Sequence, residues 1–494
     1  MLLAIVRDCG LNGPIDPGET SMAFIDMLLY HARVEPDRPA VVLADRVVTY
    51  GMLARVLSAI EMRLAPAGLA KGDLVGIRVS NPTRHLAMLI ALQNSGLVSV
   101  PLGNDESVTA ALPLKATASE RLEPPRPGVK QFMVTDDWFA GTAEMTKPRP
   151  PVFAAHDDCC IMMSSGTTGR PKPVWLSPAV LEAWISQLSV TMAGGNYEVV
   201  MCGMTVTGAW GYAVALTALS GGKTLLLSDV ARETLHMISL YRADYLVCSG
   251  HQLRMLIECQ NEHFVPCSGL RHIEVGGSLL MPELVAAARA RFGARIVSEY
   301  GTTEAGPIAR SPVDRLPAID GAVGYILPWV TIQSLDEDGR VLPPGQAGIL
   351  RLRSTGQGRW EEAGRRNAPG DGTLWFYPGD VGFVTPDGCL VITGRASDLI
   401  NIGGVKIAPE RIERVLLAHP HVKDACVVGF ASSGGLEEVR AAVVLAKPVE
   451  SAELIAFCAA RLTDGVPQLV REVTEIPRNV GGKILRESIR DLLV

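Results

Sequence analysis

The chain has 494 residues, 48% hydrophobic and 20% charged, which is enough apolar material for a large core and excludes a disordered or low-complexity role. Forty-six basic residues against 52 acidic ones leave a formal charge of −6, so no basic surplus drives binding to nucleic acid or to an anionic membrane. At roughly 100–200 residues per domain, the length suggests about three structural units. The ten cysteines are scattered, form no CxxC pair, and read as small buried hydrophobes in a reducing, cytoplasmic setting. Met1 to Val6 is apolar but meets Arg7 and Asp8 at once, too short for a signal segment. The longest uncharged stretch, Val199 to Gly222, is interrupted by Gly203, Gly208 and Gly211 and reads as buried strand, loop and helix, not as a membrane span.

In chain order, Ala40 to Leu43 and Val47 to Thr49 read as strands around an Asp45–Arg46 turn, and Gly51 to Leu64 as an amphipathic helix. Asp73 to Val79 is strand-like, Arg84 to Leu92 helical, and Val98 to Leu102 strand-like again, the βαβ rhythm of a parallel sheet covered by helices. Residues 103–131 are polar and proline-bearing, and are expected to form a loop or a short excursion. A second α/β run follows, with short apolar strands at Leu225 to Leu227, Tyr245 to Cys248, Ile273 to Val275 and Ile296 to Val297, and a helix at Leu284 to Phe292. Between about 310 and 395 the strands become short and turn-rich, which predicts a small β unit. From about 398 strands at Ala425 to Val428 and Val439 to Leu445 alternate with helices at Pro409 to Leu417 and Ala452 to Leu462, a compact α+β module.

The strongest chemical signal is Ser164-Ser165-Gly166-Thr167-Thr168-Gly169-Arg170-Pro171-Lys172, directly after the apolar run Cys160 to Met163. Small hydroxyl residues and two glycines let backbone N–H groups point into one concavity, where they can wrap polyphosphate oxygens, while Lys172 adds charge. The order of residues is not that of a Walker A loop. Glu299-Tyr300-Gly301-Thr302-Thr303-Glu304, taken alone, reads as a strand end with a capped turn. Gly276-Gly277-Ser278 follows a strand and permits close approach of a flat ligand. Tyr377-Pro378-Gly379-Asp380, Gly394-Arg395-Ala396-Ser397-Asp398 with Gly403-Gly404, and Pro477-Arg478-Asn479-Val480-Gly481-Gly482-Lys483 complete the set. Alone, Pro378-Gly379-Asp380 is an ordinary turn and Lys483 a solvated lysine after a glycine turn.

Taken in this order, the six segments resemble the signatures of the adenylate-forming superfamily: acyl-CoA synthetases, peptide-synthetase adenylation domains and luciferases. The resemblance spans residues 164–483, and is looser before them. It implies an α/β fold with a large N-terminal domain (1–396) of two α/β subdomains and a small β part. A small mobile α+β C-terminal lid (397–494) completes it. By the same resemblance Ser164, Ser165, Gly166, Thr167, Thr168, Gly169 and Lys172 would hold the phosphates of ATP. Gly277, Ser278, Glu299, Tyr300, Gly301 and Thr302 would border the nucleotide, Thr303 would meet the α-phosphate, and Glu304 would help hold Mg²⁺. Asp380 and Arg395 would contact the ribose, Ser397 would be the hinge, and Gly403 and Gly404 would flank a channel for the thiol. Lys483 would reach the substrate carboxylate and the α-phosphate together; at about 4 Å and an effective dielectric near 20 that attraction is on the order of 4 kcal/mol.

The implied reaction is attack of a carboxylate on MgATP to give acyl-adenylate and pyrophosphate, then transfer to a thiol, with CoA as expected co-substrate. A stand-alone enzyme that loads a carrier protein is the alternative, and a silent nucleotide-binding homologue a third. The chain ends eleven residues after Lys483, so no fused carrier is expected. The expected partners are thus a small carboxylic acid and CoA or a carrier-bound phosphopantetheine, with the protein a monomer or homodimer. The acyl pocket is expected at Thr207, Gly208, Trp210, Gly211, Tyr212 and Gly276. Residues 199–222 hold no acidic side chain to pair a substrate ammonium, and burying one unpaired is costly, which favours an uncharged acyl or aryl carboxylate. His251 could face the pocket, though a core or surface role is the plainer reading. Pro173 after the phosphate loop, Pro378 before Gly379 and Ser397 at the hinge depart from the common pattern.

Overall fold

The computed structural model describes residues 23–102, 111–141, 144, 152–164, 172–192, 196–278, 280–362, 365–366, 374–402, 405–431, 437–478 and 484–493. Two sheets sandwich a layer of helices. One runs, in spatial order, Lys130–Met133, Leu114–Ser119, Leu74–Arg78, Val98–Pro101, Cys160–Ser164 and Lys172–Leu176. The other has a parallel run Pro39–Leu43, Thr224–Leu227, Val199–Cys202, Tyr245–Ser249, His272–Gly276 and Arg295–Thr302. These strands are short apolar runs because helices cover both their faces; every residue of Thr224–Leu227 and Tyr245–Ser249 is buried. One core fills the space between the sheets, joining Val75 and Ile77 of the first sheet and Val200 and Val247 of the second through Leu57, Leu89, Leu181 and Leu216 of intervening helices. A second core lies on the outer face of the larger sheet, beneath Ala231–Leu240, Gly250–Glu262 and Pro282–Phe292.

Local signals set the helix starts. Thr49 caps Tyr50–Leu64, and Asn81 caps Pro82–Asn94 with proline at its first turn. Ser249 and Gln252 form a reciprocal capping box at Gly250–Glu262. The expectation of a loop or short excursion over 103–131 is corrected: Leu114–Ser119 and Lys130–Met133 extend the first sheet in parallel. In Leu114–Ser119 the small residues Ala116, Thr117, Ala118 and Ser119 pack in the interior while Lys115 is exposed, so the strand lacks the branched apolar run by which a buried strand is recognised.

The small β unit does not stand apart. Gly306–Pro312, Ala322–Ile326, Cys389–Arg395, Asp380–Val384, Gly348–Ser354 and Val330–Leu335 continue the larger sheet in antiparallel pairing. The C-terminal module has its own sheet, Val422–Ala431, Glu437–Leu445 and Leu469–Glu472, and its own core around Ile412, Leu416, Val427, Val439 and Leu454. Arg486 ties it internally, with Nε 3.1 Å from Asp398 and Nη2 2.9 Å from Glu410. Its contacts with the rest of the chain include the exposed pairs Lys406–Glu337 at 2.9 Å and Lys423–Glu258 at 3.2 Å. Among the described residues no helix is long and apolar enough to cross a membrane.

Candidate active site

Parallel strands bring chain ends of one kind to one edge of the sheet, and the loops leaving those ends are where an α/β protein builds its crevice. Here Cys160–Ser164, Val199–Cys202, His272–Gly276 and Arg295–Thr302 all end on a cavity of about 570 Å³. Its wall includes Ser164, Lys172, Trp210, Gly211, Gly276, Gly277, Glu299, Gly301, Thr302, Thr303, Glu304 and Arg395 from the sequence-derived set. Segments far apart in the chain thus meet at one place.

Ser164 and Lys172 are direct cross-strand partners, and both line the cavity. Ser165, Gly166, Thr167, Thr168 and Gly169 lie outside the described residues, as do Gly403, Gly404 and Lys483. Thr303 and Glu304 sit in the tight turn between Arg295–Thr302 and Gly306–Pro312, where Thr302 Oγ1 accepts the Ala305 N–H at 3.1 Å. The ladder shifts register between Tyr300 and Gly301, which re-aims the following residues. A Cβ on Gly301 would stand 2.8 Å from the Gly306 carbonyl oxygen, so the turn closes only with glycine there.

Asp380 opens one strand, Arg395 ends its neighbour, and the two are paired across the ladder. Arg395 Nε lies 3.2 Å from Asp380 Oδ1, and the Tyr300 hydroxyl donates to Oδ2 at 2.5 Å. Burial, and then the Asp380 charge, push the Tyr300 phenol well above its ordinary range, so it remains a donor. Enclosure also raises the Glu304 carboxyl, opposed by the Ser164 and Thr302 hydroxyls and the Lys172 ammonium. Among the described residues no group of three His, Cys, Asp or Glu could hold a metal by itself. A lone enclosed carboxylate suits Mg²⁺, which takes one or two carboxylates and fills its other positions with phosphate oxygens and water.

Several expected pocket residues stand elsewhere. Thr207 is exposed, its hydroxyl 3.2 Å from that of Thr205, because it precedes the helix Ala209–Ser220 on the outside of the turn. Tyr212 is fully buried and its hydroxyl bonds Gln93, two residues beyond the cavity-facing Trp210 on the helix. Ser278 is exposed and off the wall, its hydroxyl packed toward Gly250. His251 is half-buried and off the wall; it lies on the face of Gly250–Glu262 that meets the C-terminal module, within the fields of Arg478 and Asp424. Ser397 lies between a bond to the large domain, Ala396 N–H to Gly379 O at 2.8 Å, and the Asp398–Arg486 pair of the C-terminal module.

The sequence profile of the AMP-binding enzyme family matches residues 28–359, and that of the AMP-binding enzyme C-terminal domain matches residues 411–483. The chain belongs to the AMP-binding enzyme family. Similar to it are a fatty acid–[acyl-carrier-protein] ligase, ScoC, of Streptomyces coeruleorubidus (28% identity over 94% of this chain and 95% of that one). A 2-succinylbenzoate–CoA ligase of Bacillus cytotoxicus is 27% identical over 94% of this chain and 98% of its own length. Among solved structures, an O-succinylbenzoate coenzyme A synthetase from Bacillus subtilis in complex with ATP and magnesium ion shares the fold, with TM-score 0.80, 23% identity, and 94% and 99% of the two chains covered.

Within this AMP-binding enzyme the cavity also has walls that no motif announced: Val174, Trp184, Leu188, Met204, Trp360 and Phe376. Trp184 is wedged, its Nε1 donating to the Gly356 carbonyl at 2.6 Å. The only sequence signal was the pair of glycines around it: a Cβ at Gly306 would come within 2.4 Å of Trp184 Nε1, and one at Gly356 within 2.7 Å of Cδ1. Gly276 makes a similar close approach, since a Cβ there would lie 2.8 Å from the Glu299 carbonyl and 2.9 Å from Trp210 Cη2. Gly276→Ala is therefore expected to displace the Trp210 ring and raise KM for the acid about tenfold or more, with less effect on KM for ATP. Equal effects on both constants would remove the assignment of this wall to the acid.

Proposed function

We propose that the protein activates an uncharged acyl or aryl carboxylic acid with MgATP and passes it to a thiol, first of all that of CoA. What carries this reading is that Ser164, Lys172, Thr302, Thr303, Glu304 and Arg395 share one cavity with an apolar wall of Val174, Leu188, Met204, Trp184 and Trp210. The polar side suits a nucleotide polyphosphate and the apolar side an acyl or aryl group. Of the two acids on the cavity wall among the described residues, Glu299 is engaged by Glu274 and Arg310, and Glu304 stands on the phosphate side where Mg²⁺ would take it, so an incoming ammonium finds no free partner at the apolar wall. The Mg²⁺ and ATP of the solved relative, and the CoA ligase name of the curated one, agree with this assignment.

The substrate carboxylate is already an anion at neutral pH, so its attack on the α-phosphate needs no general base. The task of the chain is positioning and offsetting of charge. Lys172 and Lys483 would carry positive charge to the phosphate and carboxylate oxygens, Asp380 and Arg395 would hold the ribose, and Thr303 would bond the α-phosphate. Glu304 would hold Mg²⁺, which when bound neutralises phosphate charge.

We further propose the division into 1–396 and 397–494 with Ser397 as hinge. It is supported by the change of bonding partners on either side of that residue and by the separate C-terminal core. The exposed ion pairs across the seam are each worth only about 0–1 kcal/mol, which leaves the module free to reorient between the two half-reactions.

The test is AMP formation from ATP with fatty, aryl, hydroxy and amino carboxylates, with and without CoA. Multiple turnover of a neutral acid that requires CoA is the expected result. Turnover only with amino acids would overturn the substrate class. A single burst unmoved by CoA would transfer the acceptor role to a carrier protein, in keeping with the name of the Streptomyces relative.

A further inference from the structure

Behind the Gly276 wall lies a cluster that the reaction as described does not use. Glu274 projects from His272–Gly276, Glu299 from Arg295–Thr302 and Arg310 from Gly306–Pro312, three adjacent strands. The Glu274 side chain is 0% exposed, that of Glu299 5% and that of Arg310 14%. Arg310 Nη2 lies 2.8 Å from Glu274 Oε2 and its Nε 3.4 Å from Glu299 Oε2. The Tyr245 hydroxyl donates to Glu274 Oε2 and accepts from Arg310 Nη2 at 2.7 Å. Two enclosed carboxyls thus face one guanidinium. With both ionised, Glu274 Oε1 and Glu299 Oε2 are buried without a donor. One proton between the two carboxyls supplies the missing donor and makes the trio neutral, as in any pair of carboxylates too close to ionise together.

We propose that Glu274 and Glu299 share one proton above Arg310, and that this proton keeps the wall behind Gly276 free of surplus negative charge so that a carboxylate substrate can bind. Glu299 is then a positioning residue; the inference rests on the reading of the cavity as a carboxylate-activating site. Burial, and then the Glu274 charge, hold the Glu299 carboxyl well above the usual carboxylate range, while the Arg310 charge opposes them. The sign follows: the Glu299 carboxyl holds its proton above the usual carboxylate range, and as pH rises that proton goes to solvent and the cluster acquires one net negative charge. The other titratable groups facing it include Tyr245, Tyr197, Cys202 and Cys248, which burial pushes upward, and His272, which stacks on Tyr245 and which burial and nearby arginines push downward. In each of these groups burial favours the neutral form. Lys172, Glu304 and Arg395 line the same cavity and are common to every variant compared below.

The experiment has two readouts on the full-length protein. In infrared difference spectra of wild type minus Glu299→Gln, and of wild type minus Glu274→Gln, the C=O stretch of a protonated buried carboxyl is expected at neutral pH and should disappear at alkaline pH. In steady-state kinetics, KM of the wild type for the acid is expected to rise about tenfold across that alkaline transition while kcat changes little. Both variants should lack the rise, because each leaves one carboxylate for one guanidinium. Absence of the carboxyl band, or the same alkaline rise in wild type and both variants, overturns the proposal. If Glu299→Gln does not fold, Glu274→Gln decides alone. Failure of the wild type on every acid would instead overturn the functional reading, and the infrared band would still report on the shared proton.

Discussion

Lys483→Ala is expected to lower carboxylate-dependent pyrophosphate release by about 10²–10³-fold while ATP still binds. Two anions, the acid and the α-phosphate, must approach to bonding distance, and an ammonium between them offsets their repulsion in the transition state more than in either ground state. KM for ATP should therefore change far less than kcat, and thioester formation from pre-made acyl-adenylate should be largely spared. Equilibrium ATP binding and single-turnover kinetics separate these terms. Unchanged adenylation would remove Lys483 from its role.

Asp380→Ala is expected to raise KM for ATP at least tenfold and to destabilise the large domain by about 3 kcal/mol. Asp380 is 3% exposed and is held from two sides, by the Arg395 guanidinium and by the Tyr300 hydroxyl. Truncation leaves both donors facing a void, at the place where the last strands of the large domain meet the Tyr300 segment. The low end of the usual range for a broken buried pair applies, since Arg395 is 28% exposed and regains some water. Asp380→Asn keeps an acceptor for one donor and should fall between wild type and alanine in both respects. Denaturant unfolding alongside ATP kinetics gives the two numbers, and normal ATP affinity in a folded Asp380→Ala protein would end the ribose assignment.

Much of the architecture was legible because local patterns and tertiary fold agree. Leu225 to Leu227 and Tyr245 to Cys248 read as strands from their apolar runs, and those runs exist because helices cover both faces of the sheet. Leu114–Ser119 escaped because alanines, serine and threonine fill a crowded interior without the branched pattern of a strand. Likewise the strands between about 310 and 395 read as a small β unit, and it is the ladder pairing between Arg295–Thr302 and Gly306–Pro312 that joins them to the large sheet.

The site divides in the same way. From the sequence alone the phosphate-loop order at Ser164 to Lys172, the Glu299 to Glu304 segment, Asp380, Arg395 and Lys483 could be proposed as a site, because backbone approach to phosphate, carboxylate for a cation and cation for an anion call for particular residue types at short spacings. Tertiary structure decided the rest: that Trp184 and Leu188 join the cavity wall, that Thr207, Tyr212 and Ser278 stay off it, that His251 belongs to the seam between modules, and that Glu274, Glu299 and Arg310 meet behind Gly276. Chemistry within a few residues is written in local order. Which side chains share a wall depends on helix phase, strand register and the packing of distant segments, and those are settled only when the whole chain is folded.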